Sequence, residues 1–271
     1  MRFFKKHPGK LRMFWNLLCC RVPGFCGEKM NKPYIEDINF KLLLADIRSG
    51  DYTHPGDVEA IELVISNLDV HKSSSILDVG CGLGGTAQYL RQYGPVTGID
   101  FDENCIEYAQ KVYKNVPFHH LDAHKLHKSF SSNQFDIFTI FCSFSFFENQ
   151  ELACLEMANI AKNGAQLAIF DYSSQLDNHI HPFNKQLMFE PLKKQTIEKV
   201  LGPWQLKEFI DLTDYYVEQY TIIIAEIEDQ KDYLIANFGT PAYSDVLTSF
   251  TDLIATFDHS GGALVIATLE K

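Results

Sequence analysis

The chain has 271 residues, of which 46% are hydrophobic and 22% are charged, and its formal net charge is -11. These proportions are ordinary for a globular protein, and the length suffices for one large core, or for one core with a lid. The acidic balance argues against nucleic acid as a partner, because its phosphates would be repelled.

The first segment, residues 1–32, has the opposite charge from the rest of the chain. It holds eight basic residues and one acidic residue, whereas the remainder holds 16 basic and 34 acidic residues. Its apolar run, residues 13–20, is too short to span a bilayer. Four interpretations stay open: a poorly ordered terminus, a weak signal sequence without a convincing cleavage site, an extension ahead of a true start at Met30, and a peripheral membrane anchor.

The cysteines lack the spacing of a disulfide framework or a zinc site. No C-x-x-C pair is matched by a second such pair, so we predict no metal. Four cysteines fall in predicted core elements, as is typical of small buried hydrophobic residues: Cys81, Cys105, Cys142 and Cys154. We therefore expect a reducing compartment and a cytoplasmic protein.

Two amphipathic helices are predicted ahead of the first strand. Apolar residues recur at helical spacing from Tyr34 to Ser49 and again from Val58 to Leu68. The turn between them, residues 51–56, contains Tyr52 and His54.

From residue 75 onward, strand-like and helix-like runs alternate. The predicted strands are 75–80, 95–100, 116–121, 135–142 and 165–171, and the predicted helices are 84–93, 103–114 and 150–162. This alternation predicts an α/β fold, with a parallel sheet covered by helices on both faces.

The first of these strands runs directly into a glycine-rich turn. Residues 76–85 have the sequence ILDVGCGLGG, and Asp100 ends the second strand, twenty residues after Gly80. Glycines let the backbone turn sharply close to a ligand, and an acid at the tip of the second strand can accept hydrogen bonds from two ribose hydroxyls. The pattern predicts a nucleoside-bearing cofactor at the carboxyl edge of the sheet. It also satisfies the dinucleotide pattern G-x-G-x-x-G.

Two further acids favour S-adenosylmethionine over a dinucleotide. Asp78 lies inside the strand before the turn, where its carboxylate would repel a pyrophosphate but would attract the positively charged methionine moiety. Asp122 follows the third strand, where it is placed to accept a hydrogen bond from an adenine amino group.

At these residues the sequence resembles the class I S-adenosylmethionine-dependent methyltransferases, particularly those acting on small molecules such as sarcosine, phosphoethanolamine and quinone rings. The matching pieces are Leu77–Gly84, Gly98–Asp100, Leu121–Ala123 and Phe135–Phe138. The resemblance implies a Rossmann-like seven-stranded sheet of order 3-2-1-4-5-7-6 with an antiparallel last strand. It implies cofactor contacts at Tyr52, Asp78, Gly80, Cys81, Gly82, Gly84, Asp100, Phe101, Asp122, Ala123 and Cys142.

The pattern changes after the fifth strand. Residues 173–192 are polar and irregular, as is typical of a functional loop or lid. A helix near 193–201, a strand near 205–212, helices at 214–237 and 243–257, and a last strand at 263–269 follow. The resemblance implies one methyltransferase domain over residues 33–271, in which an insert at about 213–260 forms a helical cap.

The candidate catalytic residues are His54 and Tyr172, since an acceptor that arrives protonated needs a general base. Three tyrosines of the first cap helix, Tyr215, Tyr216 and Tyr220, would suit a methylated ammonium group or an apolar ring equally well. The resemblance implies a small-molecule acceptor with an amine, a hydroxyl or an activated carbon. The alternative functions are a catalytically silent module that binds S-adenosylmethionine and a nicotinamide-dependent oxidoreductase.

Overall fold

The computed structural model describes residues 38–48, 50–175 and 190–270. The predictions for the basic segment 1–32, for the start of the first helix at Tyr34 and for most of the lid lie outside the described residues.

A mixed seven-stranded sheet forms the centre of the molecule. Its strands are Ile76–Val79 (β1), Val96–Asp100 (β2), Phe118–His120 (β3), Phe135–Phe141 (β4), Ala161–Ser174 (β5), Gln205–Asp211 (β6) and Ser260–Thr268 (β7). Their order is β3-β2-β1-β4-β5-β7-β6. The first five strands are parallel, and β7 pairs antiparallel with both β5 and β6. The predicted strand order and the antiparallel last strand are confirmed.

Helices cover both faces of this sheet. They are Ile38–Arg48 (α1), Asp57–Ser66 (α2), Gly85–Leu90 (α3), Glu103–Val112 (α4), Gln150–Ile160 (α5), Ile197–Leu201 (α6), Thr213–Asp229 (α7) and Lys231–Ile254 (α8). Two short 3-10 helices, Ala123–Lys128 and Phe144–Phe146, follow β3 and β4. None of the helices within the described ranges is long and apolar enough to cross a bilayer.

The alternation of side chains along each strand divides the core into two layers. In β1, Ile76 packs in the layer formed by α1–α4 with α7 and α8, whereas Leu77 and Val79 pack in the layer formed by α5 and α6. All four residues of β1 are buried, as expected for a central parallel strand with both faces covered. Asp78 is thus a carboxylate inside the core.

The cap helices differ from the prediction at their junction. The sequence pattern predicts helices at 214–237 and 243–257, but α7 ends at Asp229 and α8 starts at Lys231. The helix α8 then continues through Gly239, whose φ of 87° and ψ of 160° produce a kink. Pro241 directly follows this kink, where a missing backbone donor costs little because the helix restarts there.

Candidate active site

The turn that follows β1 is held in a conformation that needs glycine. Gly80 and Gly84 have φ values of 76° and 88°. A Cβ atom on Gly80 would lie 2.2 Å from Ser143 Oγ, and one on Gly84 would lie 2.8 Å from the Phe118 ring. Larger residues at these positions would therefore push apart the segments that meet at this edge of the sheet.

Asp78 has a buried carboxylate with one oxygen that no described residue satisfies. Thr139 on β4 donates to Oδ1 at 2.9 Å, whereas Oδ2 has no hydrogen-bond partner in the described part of the chain. Burial raises the pKa of Asp78 to about 7, the Thr139 hydroxyl lowers it, and the charge of Asp100 raises it further. An unpaired acceptor in a dry site suits a ligand that brings a positive charge or several donors.

We expect the affinity for S-adenosylhomocysteine to fall by about tenfold when the pH is lowered from about 8 to about 6. The reason is that Asp78, with its pKa of about 7, takes up a proton in this window and then no longer attracts an ammonium group. Calorimetric titration over this range measures the effect, and Asp78→Asn should flatten it. An equally steep profile in Asp78→Asn would exclude Asp78 as its source.

Asp100 lies at the tip of β2 and faces the glycine turn. Its Oδ2 accepts the Gly82 backbone N–H at 2.7 Å, and its Oδ1 accepts the Asp102 N–H at 2.8 Å. A carboxylate can accept about four hydrogen bonds, so both oxygens keep capacity for a ligand. The next residue, Phe101, is 74% exposed, which leaves an aromatic face at the rim of the site.

The carboxylate of Asp122 already accepts three hydrogen bonds from neighbouring residues. It starts the first 3-10 helix and accepts the backbone N–H and Nδ1 of His124 and the ammonium of Lys125. Although burial acts in the opposite direction, these hydrogen bonds lower its pKa to about 2. The carboxylate therefore stays charged at neutral pH, with limited capacity for an adenine amino group. Ala123 beside it is buried.

The turn after α1 places His54 against the start of α3, inside the core. Its Nε2 is 3.0 Å from Thr86 Oγ1, its Nδ1 is 3.2 Å from the Pro55 carbonyl, and its ring centroid is 4.7 Å from that of Phe141. Burial lowers the pKa of His54 to about 3. The imidazole is therefore neutral at neutral pH. Tyr52 packs edge-on against it, with 5.9 Å between the ring centroids.

The segment after β4 reaches the turn from the other side. Ser143 Oγ donates to the Val79 carbonyl at 3.2 Å, and Cys142 has a φ of 47°, which is strained for a residue other than glycine. The Cys142 sulfur is 3.5 Å from the Tyr216 hydroxyl. The thiols of Cys142 and Cys81 both have a pKa well above the ordinary value because they are buried, so neither is a nucleophile at neutral pH.

A buried aspartate fixes this segment to β5. The side chain of Asp171 is fully buried and accepts the Ser145 N–H at 3.1 Å and the Ser145 hydroxyl at 2.8 Å. Burial raises its pKa to about 6, although the hydrogen bonds from Ser145 and its backbone neighbours lower it. Asp171 therefore holds the end of β4 in place.

Tyrosines of the cap helix α7 pack onto the same edge. The hydroxyls of Tyr172 and Tyr220 are 2.6 Å apart, and Tyr216 is fully buried against Phe170, with ring centroids 5.0 Å apart. The hydroxyl of Tyr215 lies against Gly56 and has no hydrogen-bond partner in the described part of the chain. Tyr216 and Tyr220 are core residues here, whereas Tyr215 offers a free donor.

These contacts bring most of the predicted cofactor residues to one edge of the sheet. Contacts join the carboxyl ends of β1, β2 and β4 through the pairs Gly82–Asp100 and Gly80–Ser143. The unpaired oxygen of Asp78 and the spare acceptor capacity of Asp100 fit a ligand that carries an amino group and a ribose. The described residues contain no cluster of three or more ligating side chains suited to a metal ion.

The position of Ser143, Ser145 and Asp171 at the ends of the fourth and fifth strands indicates that they lie at this edge, because the carboxyl ends of parallel strands share one edge. The sequence does not indicate their individual contacts. Those contacts are the hydrogen bond of Ser143 to the Val79 carbonyl and the bonds of Ser145 to Asp171.

A family model and several known proteins match this chain. A family model described as a methyltransferase domain matches residues 70–239. Phosphoethanolamine N-methyltransferase of Triticum aestivum is 23% identical over 208 residues, which are 73% of this chain and 41% of that protein. The enzyme of the same name from Plasmodium falciparum is 25% identical over 204 residues, which are 70% of this chain and 75% of that protein.

Among solved structures, Haemonchus contortus phosphoethanolamine N-methyltransferase 2, in complex with phosphomonomethylethanolamine and S-adenosylhomocysteine, superposes with a TM-score of 0.79. The match has 16% identity and covers 90% of this chain and 61% of that one. At this identity the likeness shows the fold. The chain spans only 41% and 51% of the two Triticum aestivum relatives it matches.

Proposed function

The chain belongs to the methyltransferase-domain family, and we propose that it transfers a methyl group from S-adenosylmethionine to a small-molecule acceptor. The observation that supports the cofactor most directly is the buried, unpaired oxygen of Asp78 beside a glycine turn that also contacts Asp100. A dinucleotide would bring a pyrophosphate to this negative site, whereas S-adenosylmethionine brings a cation.

We assign the cofactor contacts to residues of this edge. Asp78 would meet the amino group, Asp100 the ribose hydroxyls, Asp122 the adenine amino group, and Phe101 would cover the adenine side. Backbone from Gly80 to Gly84 allows the close approach. The bound cofactor supplies an electrophilic methyl group.

The protein itself would position the acceptor against the methyl group and exclude water. Together these effects lower the barrier to methyl transfer by several kcal/mol. Phe141, Phe170 and Tyr172 form a dry wall at the ends of β4 and β5. His54 and Tyr172 stay our candidates for proton handling. The neutral imidazole of His54 is buried, so it can accept a proton from an acceptor only if the turn at residues 51–56 opens. Burial keeps Tyr172 protonated because its pKa is well above the ordinary value.

We propose an amine as the acceptor. Aromatic faces attract alkylated ammonium groups, and the free hydroxyl of Tyr215 on the cap helix offers a donor to a polar substituent. The names of the relatives point to the same class, since phosphoethanolamine is an amine.

Turnover tests this proposal. Purified protein, S-adenosylmethionine and one acceptor at a time are incubated, and S-adenosylhomocysteine is measured, with phosphoethanolamine, sarcosine, a catechol and a quinol as the panel. We expect product with an amine, and about ten- to 100-fold slower turnover of the same amine by Asp100→Ala at limiting cofactor. Binding of the cofactor without turnover of any acceptor class would favour the silent binding module instead.

A further inference from the structure

The helix α1 forms a wall behind the glycine turn. Leu42 and Ala45 of α1 are buried in one small cluster with Leu83 of the turn and with Cys105 and Tyr108 of α4. A helix that precedes the sheet in the chain thus contacts both segments that flank Asp100. The cofactor edge is therefore supported from behind by α1.

Lys41 extends from the same helix to the start of α4. Its ammonium donates to Cys105 Sγ at 3.5 Å. The pKa of Lys41 is above its ordinary value: burial acts to lower it, but the negative charges of Asp100 and Asp102 and the Cys105 sulfur raise it more. Lys41 is therefore a permanent positive charge at the first turn of α4, directly after Asp102, whose backbone N–H donates to the carboxylate that we assign to the ribose.

The local structure of α4 does not explain why the Lys41 ammonium lies beside Cys105. The first turn of a helix is its positive end, where a cation is unfavourable, and Cys105 lies in the first turn of α4. Partial burial of an ammonium costs further free energy. The negative charges of Asp100 and Asp102 at this end of α4 act against both costs.

We propose that Lys41 is a positioning residue for the cofactor, which offsets the negative charge around Asp100 when the ligand covers that carboxylate. The inference rests on the proposed function for the identity of the cofactor. Asp78, Asp100 and Asp102 place three acids around one turn, and a ligand that covers them removes the water that screens their repulsion. Lys41 supplies the compensating charge from the side that the ligand leaves free.

Other contacts anchor α1 and its following turn independently of Lys41. Arg48 donates to the His54 carbonyl at 2.9 Å and pairs with Asp57 at 2.5 Å. The hydroxyls of Tyr108 and Tyr113 donate to Asp51 at 3.0 and 2.5 Å. Replacing Lys41 should therefore leave the helix in place and remove only its charge.

A double-mutant cycle tests the inference. Calorimetry gives the dissociation constant of S-adenosylhomocysteine for the wild type, Lys41→Met, Asp100→Asn and the double variant. We expect Lys41→Met to weaken binding by about tenfold in the wild-type background and by less than about twofold when Asp100 is already neutral. The matched control is Lys111→Met, which removes an ammonium from the surface of α4, where it pairs with Glu107; its affinity should equal that of the wild type.

Other results would contradict either the role of Lys41 or the proposed function. Unchanged affinity in Lys41→Met, or an equal loss in both backgrounds, would overturn the role of Lys41 while leaving the cofactor assignment intact. A wild type that does not bind S-adenosylhomocysteine would overturn the proposed function, and this inference with it. If Lys41→Met does not fold, Lys41→Arg and Lys41→Gln replace it: only the glutamine variant should bind weakly, and equal affinities would contradict the proposal.

Discussion

Gly80→Ala is expected to weaken binding of S-adenosylhomocysteine by about 100-fold, or about 2.8 kcal/mol, because the turn that approaches the ligand has to move. The new Cβ atom would lie 2.2 Å from Ser143 Oγ and 2.6 Å from Ser143 Cβ. Ser143 would have to move, and with it the segment that follows β4. The positive φ of 76° adds strain to the substituted residue. Calorimetry on the purified variant measures the loss.

Gly164→Ala is the matched control for this substitution. Gly164 has the same φ of 76° and lies near the amino end of β5, and a Cβ atom added there would have no neighbouring atom within 4 Å. This variant should lose about 1–2 kcal/mol of stability through backbone strain alone and should bind the ligand as the wild type does. Wild-type affinity in Gly80→Ala would place the cofactor elsewhere.

Asp100→Ala is expected to weaken the same binding by about ten- to 100-fold, since hydrogen bonds to a charged group contribute about 1.5–3 kcal/mol. The substitution removes the acceptor for the ribose hydroxyls, and it also leaves the N–H groups of Gly82 and Asp102 without their present partner. The glycine turn then loses one of its links to β2, while the N–H groups of Gly80 and Cys81 still donate to the Ile99 carbonyl. Dissociation constants for S-adenosylhomocysteine and melting temperatures are measured together.

Asp136→Ala is the control that separates loss of the ribose contact from a loss of protein stability. Asp136, on β4 at the opposite edge of the sheet, also accepts a backbone N–H, from Ser75 at 2.7 Å, and it pairs with Lys162 at 2.7 Å. Its removal should lower stability without changing affinity. If Asp100→Ala behaved like Asp136→Ala, with a lower melting temperature and unchanged affinity, Asp100 would have no part in binding the ribose.

The sheet was predictable because its signals are local. The alternation of strands and helices predicts a parallel sheet, and the run from Ile76 to Gly85 with the acid at Asp100 predicts a ligand at its carboxyl edge. The strand order followed from the resemblance to the methyltransferases and is confirmed. The resemblance itself is confirmed by the family match over residues 70–239.

The assembly of the site was not predictable, because it depends on contacts between distant parts of the chain. Nothing near Lys41 in the sequence indicates its place beside Cys105, and nothing near Ser143 indicates its contact with Gly80. The positive φ of Cys142 has no sequence signal at all, since strain at a residue other than glycine is imposed by its surroundings.

The surroundings of the three tyrosines of α7 were not predictable from the sequence either. The sequence predicted a helix at 214–237 that contains them, and Thr213–Asp229 is a helix. The sequence left open whether they face a ligand or the core. Tyr216 and Tyr220 are buried, because α7 packs on β7 so closely that a Cβ atom on Gly262 would lie 2.1 Å from the Tyr216 ring.

The most direct test of the central claim is a calorimetric titration of the wild-type protein with S-adenosylhomocysteine and, separately, with NAD at pH 8, where Asp78 is charged. The unpaired oxygen of Asp78 and the acids around the glycine turn predict binding of S-adenosylhomocysteine and at least about tenfold weaker binding of NAD. Tighter binding of NAD than of S-adenosylhomocysteine would contradict the assignment of this site to methyl transfer.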